Sequence, residues 1–185
     1  MARFIHLHTH SHYSLLAALP KIPDLIEAAI ADGAPALALT DNGNMYGAIE
    51  FYKDCKKAGI KPILGVDFYV APRTRADKQS GIDSRRTRLI LLAKNYQGYK
   101  NLIQLVTKGY LEGFYYKPRI DRELIERYKD GLVAISSAFN GDLTLALQGN
   151  DIAKAVDIAK WYKGVFGPDY YLETTHHPDV DGSSP

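Results

Sequence analysis

The stretch Phe4-Ile5-His6-Leu7-His8-Thr9-His10-Ser11-His12-Tyr13-Ser14 decides the reading of this chain. Four of its six histidines stand here, at every second position. In an extended strand, residues two apart point to the same side. One side would carry imidazoles, the other Ile5, Leu7, Thr9 and Ser11. Histidine is the commonest metal ligand, so an H-x-H pair at the end of a strand reads as half of a metal site. A lone histidine would read as structural. The spacing therefore predicts a first strand over residues 3–8 with its polar end at the mouth of a site.

The apolar runs that follow set the class. Leu25, Ile26, Ala29 and Ile30 form the stripe of a helix over 23–31, with Pro23 early and Gly33 as its stop. Ala36-Leu37-Ala38-Leu39 is short and wholly apolar, as in a buried parallel strand. A helix is expected from Met45 to Ala58, with Met45, Ile49, Tyr52 and Cys55 on one face. Strands are expected over 62–66, reaching towards Val70, and over 89–93. The intervening loop, 72–87, has no helical pattern, so these two strands read as a hairpin. Helices over 99–111 (burying Leu102, Ile103, Leu105 and Val106), 123–128, 141–147 and 152–166 and strands over 132–136 and 170–173 complete the chain, with Asp121 as a helix cap.

Strands mostly alternate with helices, which is the α/β class. Ligand-type residues recur where apolar strands end: His8 and His10, Asp41 and Asn42, Asp67, Ser136 and Ser137, His176 and His177. Clustering at strand C-terminal ends is the mark of a βα-barrel site. Neither G-x-G-x-x-G nor G-x-x-x-x-G-K-[ST] occurs, which argues against the usual nucleotide-binding folds.

Bulk composition narrows the function. The chain has 185 residues, 46% apolar and 24% charged, enough for one well-filled domain. A net charge of +2 supplies no global field for nucleic acid. The single cysteine, Cys55, excludes a disulfide framework and a thiolate zinc knuckle. It falls on an apolar stripe and reads as an inert small hydrophobe. No apolar run reaches membrane-span length and no secretory leader is visible. A soluble, cytoplasmic protein with no membrane partner is expected.

The segments "GIKPILG" (59–65), "LILLAKN" (89–95), "FYYKPRID" (114–121) and "YLETTHHP" (171–178), with the histidine stretch, resemble the PHP (polymerase and histidinol phosphatase) domain. The resemblance is to the form at the N-terminus of bacterial DNA polymerase III alpha subunits. It spans nearly the whole chain in the same order. It implies a distorted (β/α)7 barrel, C-terminally truncated here: residues 1–185 would be a PHP domain from the start of a much longer polymerase chain. The last strands, with an Asp-x-His pair, would lie beyond residue 185. Where the family keeps its site, up to three divalent ions support phosphoester hydrolysis, including 3′→5′ exonuclease trimming. The polymerase modules are absent, so this fragment cannot polymerise DNA.

The resemblance also locates departures. His8 and His10 match the first ligand pair, and His6 matches a position beside the site that orients it. His12 is expected at the surface. The usual "SLLDG" reads Ser14-Leu15-Leu16-Ala17-Ala18, which puts Ala17 where an acidic ligand stands. Asn42 replaces a histidine, Asp67 a glutamate, Arg88 a histidine and Ala138 a cysteine. Asp142 stands where glutamate is common. A multi-ion cluster needs ligand number as well as type, so the site is expected to be degenerate and catalytically inactive. No cofactor is expected beyond, at most, one residual divalent ion (zinc, manganese or magnesium) at His8, His10 and Asp67. Arg88 is expected to reach Asp67 and replace the lost cation, since a buried carboxylate needs a counter-charge.

Three functions compete. A structural module would serve the remainder of the polymerase chain and a separate proofreading exonuclease subunit, and would meet DNA through the full-length protein. An active exonuclease or phosphatase would need ligands from Asp41, Asp67, His176 or His177. A DNA-contacting module would use the basic loop Arg73–Arg88 and stacking by Tyr115 and Tyr116. The simpler reading of these last features is a solvated loop and a core or interdomain aromatic pair.

Overall fold

A computed structural model describes residues 4–175. His176 and His177, named above as alternative ligands, lie outside the described residues. The first described element is α1 (Ile22–Ala31), followed by β1 (Ala36–Leu39), α2 (Ala48–Ala58), β2 (Lys61–Val70) and β3 (Thr87–Ala93). Then come α3 (Tyr96–Leu111), β4 (Phe114–Tyr115), β5 (Lys117–Ile120), α4 (Arg122–Arg127) and β6 (Leu132–Ser136). The series ends with α5 (Asp142–Gln148), α6 (Ile152–Phe166) and β7 (Tyr170–Leu172).

The strands form one mixed sheet in the order β4-β5-β2-β3-β6-β7, with β1 beside the first half of β2. Strand β3 runs against β2 and β6, while β1 and β5 run parallel to β2 and β7 parallel to β6. The expected β2–β3 hairpin is present. The class is α/β, and no strand pair among the described residues closes the sheet into a barrel.

Alternation along β2 and β3 separates two environments. Val66, Phe68, Val70, Leu89 and Leu91 face the helices and pack with Leu102, Leu105, Leu124 and Tyr162. Ile90 and Leu92 face the other way and pack with Ala38 and Ile135. Asp67, Tyr69 and Arg88 share the parity of this second, inner face. Its apolar floor opens into a cleft of about 1530 Å³ lined by Ile63, Leu92, Val133, Ile135 and Tyr171. A third cluster packs α1 and α2 on β1, with Ile22, Ile26, Leu37, Phe51 and Cys55 buried. Burial raises the Cys55 thiol to about 11, as befits an inert side chain.

Several local expectations are corrected. Residues 4–13 form no strand. The stretch from His6 to Thr9 runs beside β1, with the Ala38 amide donating to His6 O at 3.0 Å and the Thr40 amide to Thr9 O at 2.8 Å. Beyond this the backbone bonds to side chains: the Ser11 amide donates to Asp41 Oδ1 at 2.7 Å, which leaves no ladder to continue. Helix α2 buries Ala48, Phe51 and Cys55, while Ile49 and Tyr52 are exposed. Helix α3 buries Leu102 and Leu105 but leaves Ile103 exposed. Asp121 caps α4 as expected, accepting from the Leu124 amide at 3.1 Å.

The 72–86 loop is not a freely solvated one. Arg119 is fully buried and donates to the carbonyls of Gly113, Asp83, Arg75 and Asp77 at 2.9–3.0 Å. A loop without regular structure leaves carbonyls needing donors, and one guanidinium here satisfies three of the loop's, at Arg75, Asp77 and Asp83. Arg73 pairs with the buried Asp83, and Arg75 with Asp121, Glu112 and Glu123.

Candidate metal centre

Three elements meet at the polar end of the inner face. The 8–14 segment brings His8, His10, Ser11 and Ser14. The end of β1 brings Asp41 and Asn42. The hairpin brings Asp67 and Arg88. Potential ligand atoms of His8, His10 and Asp67 lie within 4.8 Å of one another. The three residues expected as a residual ligand set therefore converge.

Asp41 holds the histidine segment in place. It is 1% exposed. Its Oδ1 accepts from the Ser11 amide (2.7 Å) and the Ser14 hydroxyl (2.6 Å), and its Oδ2 from the Ser11 hydroxyl (2.7 Å). Ser14 Oγ in turn accepts from the Asn42 amide at 3.0 Å. This carboxylate organises the loop, and its oxygens are engaged there rather than turned to a metal.

Asp67 is 2% exposed and sits at the centre. Arg88 pairs with Tyr69 in the β2–β3 register, so it lies diagonal to Asp67 on one face. Its Nε donates to Asp67 Oδ1 at 2.9 Å, and its Nη2 bonds both Asp67 Oδ2 and Asn42 Oδ1. Its guanidinium covers the Tyr69 ring, 4.4 Å from the centroid. Arg88 thus reaches Asp67 as expected. His8 Nε2 lies 3.1 Å and His10 Nε2 3.3 Å from Asp67 Oδ2. The His10 contact is close but not aligned as a hydrogen bond.

Burial alone would raise the Asp67 carboxyl, but the contacts from His10, His8 and Arg88 hold it well below the ordinary carboxylate range. Burial works against charge on His8 too. Hydrogen bonds to Asp67 and Glu173 outweigh it and raise His8 to about 9. Glu173 escaped the sequence reading. It follows β7, takes His8 Nδ1 at 2.6 Å, and accepts from the Ala138 amide at 2.9 Å. A carboxylate behind an imidazole orients it, as in metal centres. The only signal in the sequence was an acid directly after an apolar strand.

Other positions diverge from expectation. His6 is exposed and packs edge-on against Phe4 at 4.8 Å rather than orienting the site. His12, expected at the surface, is half-buried on Tyr13, with ring centroids 4.2 Å apart. Ala17 is exposed in a turn. Asn42 offers its oxygen to Arg88, and Ala138 contributes only a backbone amide. Tyr115 and Tyr116 are not a core pair: Tyr116 is 67% exposed.

Among the described residues, the donors of His8, His10 and Asp67 fit one divalent ion. His8 and His10 present nitrogens beside one carboxylate oxygen, but both Asp67 oxygens already carry Arg88.

Comparison with known proteins agrees with the architecture. The PHP domain family matches residues 6–177. DNA polymerase III subunit alpha of Borreliella burgdorferi is 48% identical over 177 residues, covering 95% of this chain and 15% of its own length. The subunit of Treponema pallidum is 47% identical, covering 96% of this chain and 16% of its own. That of Aquifex aeolicus is 42% identical, covering 92% and 15%. The chain thus spans about 15% of the length of these relatives. With a match that runs from the histidine segment past the last described strand, the chain belongs to the PHP domain family.

Proposed function

We propose that this PHP domain serves a bacterial replicative DNA polymerase as a structural module, with an ion-pair network standing in for the hydrolytic metal centre. The observation that carries the reading is the Arg88 fork on Asp67. A guanidinium has no acceptor and does not lose its proton, so it neutralises the carboxylate without supplying a ligand. In this reading the polymerase activity belongs to the remainder of the polypeptide, which also meets the DNA. The open apolar cleft would seat further strands of the barrel contributed by that remainder. A module without hydrolysis of its own suits a polymerase that docks a separate proofreading exonuclease subunit, in the cytoplasm. No helix among the described residues is long and apolar enough to cross a membrane.

The second reading is a metal-dependent 3′→5′ exonuclease or phosphoesterase, favoured by the convergence of His8, His10 and Asp67. One divalent ion there would polarise a phosphoryl oxygen or activate water. Glu173 would orient His8, and Arg88 would have to release Asp67.

Purified chain incubated with a 3′-mismatched primer–template and Mn²⁺ or Zn²⁺ separates the two. The first reading expects no trimming. Trimming that disappears in Asp67→Asn establishes the second. Co-elution with the proofreading exonuclease subunit of the same organism in size-exclusion chromatography tests the docking role, and separate elution removes it.

A further inference from the structure

The β4–β5 hairpin displays an exposed ring at its tip. Tyr116 is its single-residue apex, since Tyr115 pairs with Lys117 and Phe114 with Pro118. Its φ is +60°, a left-handed conformation that bulky L side chains disfavour and glycine adopts freely. The ring is 67% exposed and rests edge-on against Tyr115, centroids 4.6 Å apart. Backbone strain and an exposed apolar ring both oppose stability, and strain retained at a surface is characteristic of function.

Lys117, which follows it, and Arg86, which shares the Tyr69 ring with Lys117, differ from the other cations of this region. Arg73, Arg75 and Arg119 are taken up by acids and carbonyls. Arg86 and Lys117 make no ion pair with a carboxylate among the described residues. Their charged groups sit 5.6 and 5.9 Å from the centroid of Tyr69, the ring that Arg88 covers. More rings continue the surface: Phe114, 49% exposed, stacks on Tyr110 at 6.3 Å, and the Tyr110 hydroxyl meets that of Tyr46 at 3.1 Å.

We propose that this rim is a binding site for single-stranded nucleic acid, with a base stacked on Tyr116 and phosphates taken by Arg86 and Lys117. Every base offers a π-face to an aromatic ring, and cations without carboxylate partners, Arg86 being bonded only to the Ser84 carbonyl at 2.9 Å, can follow a phosphate backbone. A protein partner would equally cover the ring, but two cations without acids favour a polyanion. The proposal needs no metal and stands apart from the role of Arg88.

Fluorescence anisotropy with a labelled oligothymidylate of about twelve nucleotides tests it at several salt concentrations. Wild type and Tyr116→Phe should bind alike. Tyr116→Gly should weaken binding about tenfold, the loss of one stacked base, while raising the melting temperature by relieving the turn. Joint Arg86→Gln and Lys117→Gln should flatten the slope of log affinity against log salt by about 1.4, two phosphates' worth. A wild-type chain that ignores the oligonucleotide leaves the ring to a protein partner and overturns the proposal. So does undiminished binding by Tyr116→Gly, which would be charge alone. A Tyr116→Gly variant that melts at lower temperature shows the ring to be structural and overturns it as well.

Discussion

The Arg88 guanidinium grips the Asp67 carboxylate across the β2–β3 hairpin, Nε to Oδ1 at 2.9 Å and Nη2 to Oδ2, where the pair is almost sealed from solvent. Removing one partner of such a pair strands the other. Arg88→Met should therefore cost about 3 kcal/mol of unfolding free energy, while Arg88→Met with Asp67→Leu should recover more than half of it. Urea denaturation of both variants measures this. A single variant as stable as wild type would show that the pair does not hold the hairpin ends together.

Asp41 ties the histidine segment to the end of β1 through three donors. An asparagine there has one acceptor oxygen, so at least one donor would face an NH₂ group. Asp41→Asn should lose about 2 kcal/mol and speed hydrogen exchange at the Ser11 amide. Unchanged exchange at Ser11 would mean that the segment is held by β1 alone.

Asp142, the first residue of α5, is held above its ordinary value of 3.8 by burial, which the bond from the Tyr162 hydroxyl (3.1 Å) only partly offsets. The folded state thus binds this proton more tightly than the unfolded one. Its stabilising contribution is full below pH 3.8 and is lost as pH rises through the raised folded value. Asp142→Asn should be more stable than wild type at neutral pH, with the difference shrinking on acidification. Melting curves across pH 3 to 7 read the trend, and a gain that grows towards acid would contradict it.

Much of this was legible in the sequence, for identifiable reasons. The hairpin followed from the missing helix between residues 72 and 87, and the Arg88–Asp67 contact from the need of a buried carboxylate for a counter-charge. Helix faces were less legible. The face of α2 slipped because small Ala48 is buried while Ile49 is exposed, and volume does not reveal which apolar residue turns inward. The first strand failed because period-two histidines record a direction, not a ladder, and Asp41 captures the Ser11 amide from thirty residues away. Glu173 was overlooked beside the two histidines that follow it, yet its carboxylate joins His8 to the Ala138 amide. The 72–86 loop is tied by one buried arginine whose carbonyl partners at Arg75, Asp77 and Asp83 no local pattern announces.

The central claim is that a guanidinium has taken the place of a metal cluster. Metal content is its most direct measure: elemental mass spectrometry on the purified chain, loaded with excess Zn²⁺ or Mn²⁺ and dialysed against metal-free buffer. The account expects at most one weakly held ion per chain, reduced further by His8→Ala. Two or more ions retained per chain would contradict it.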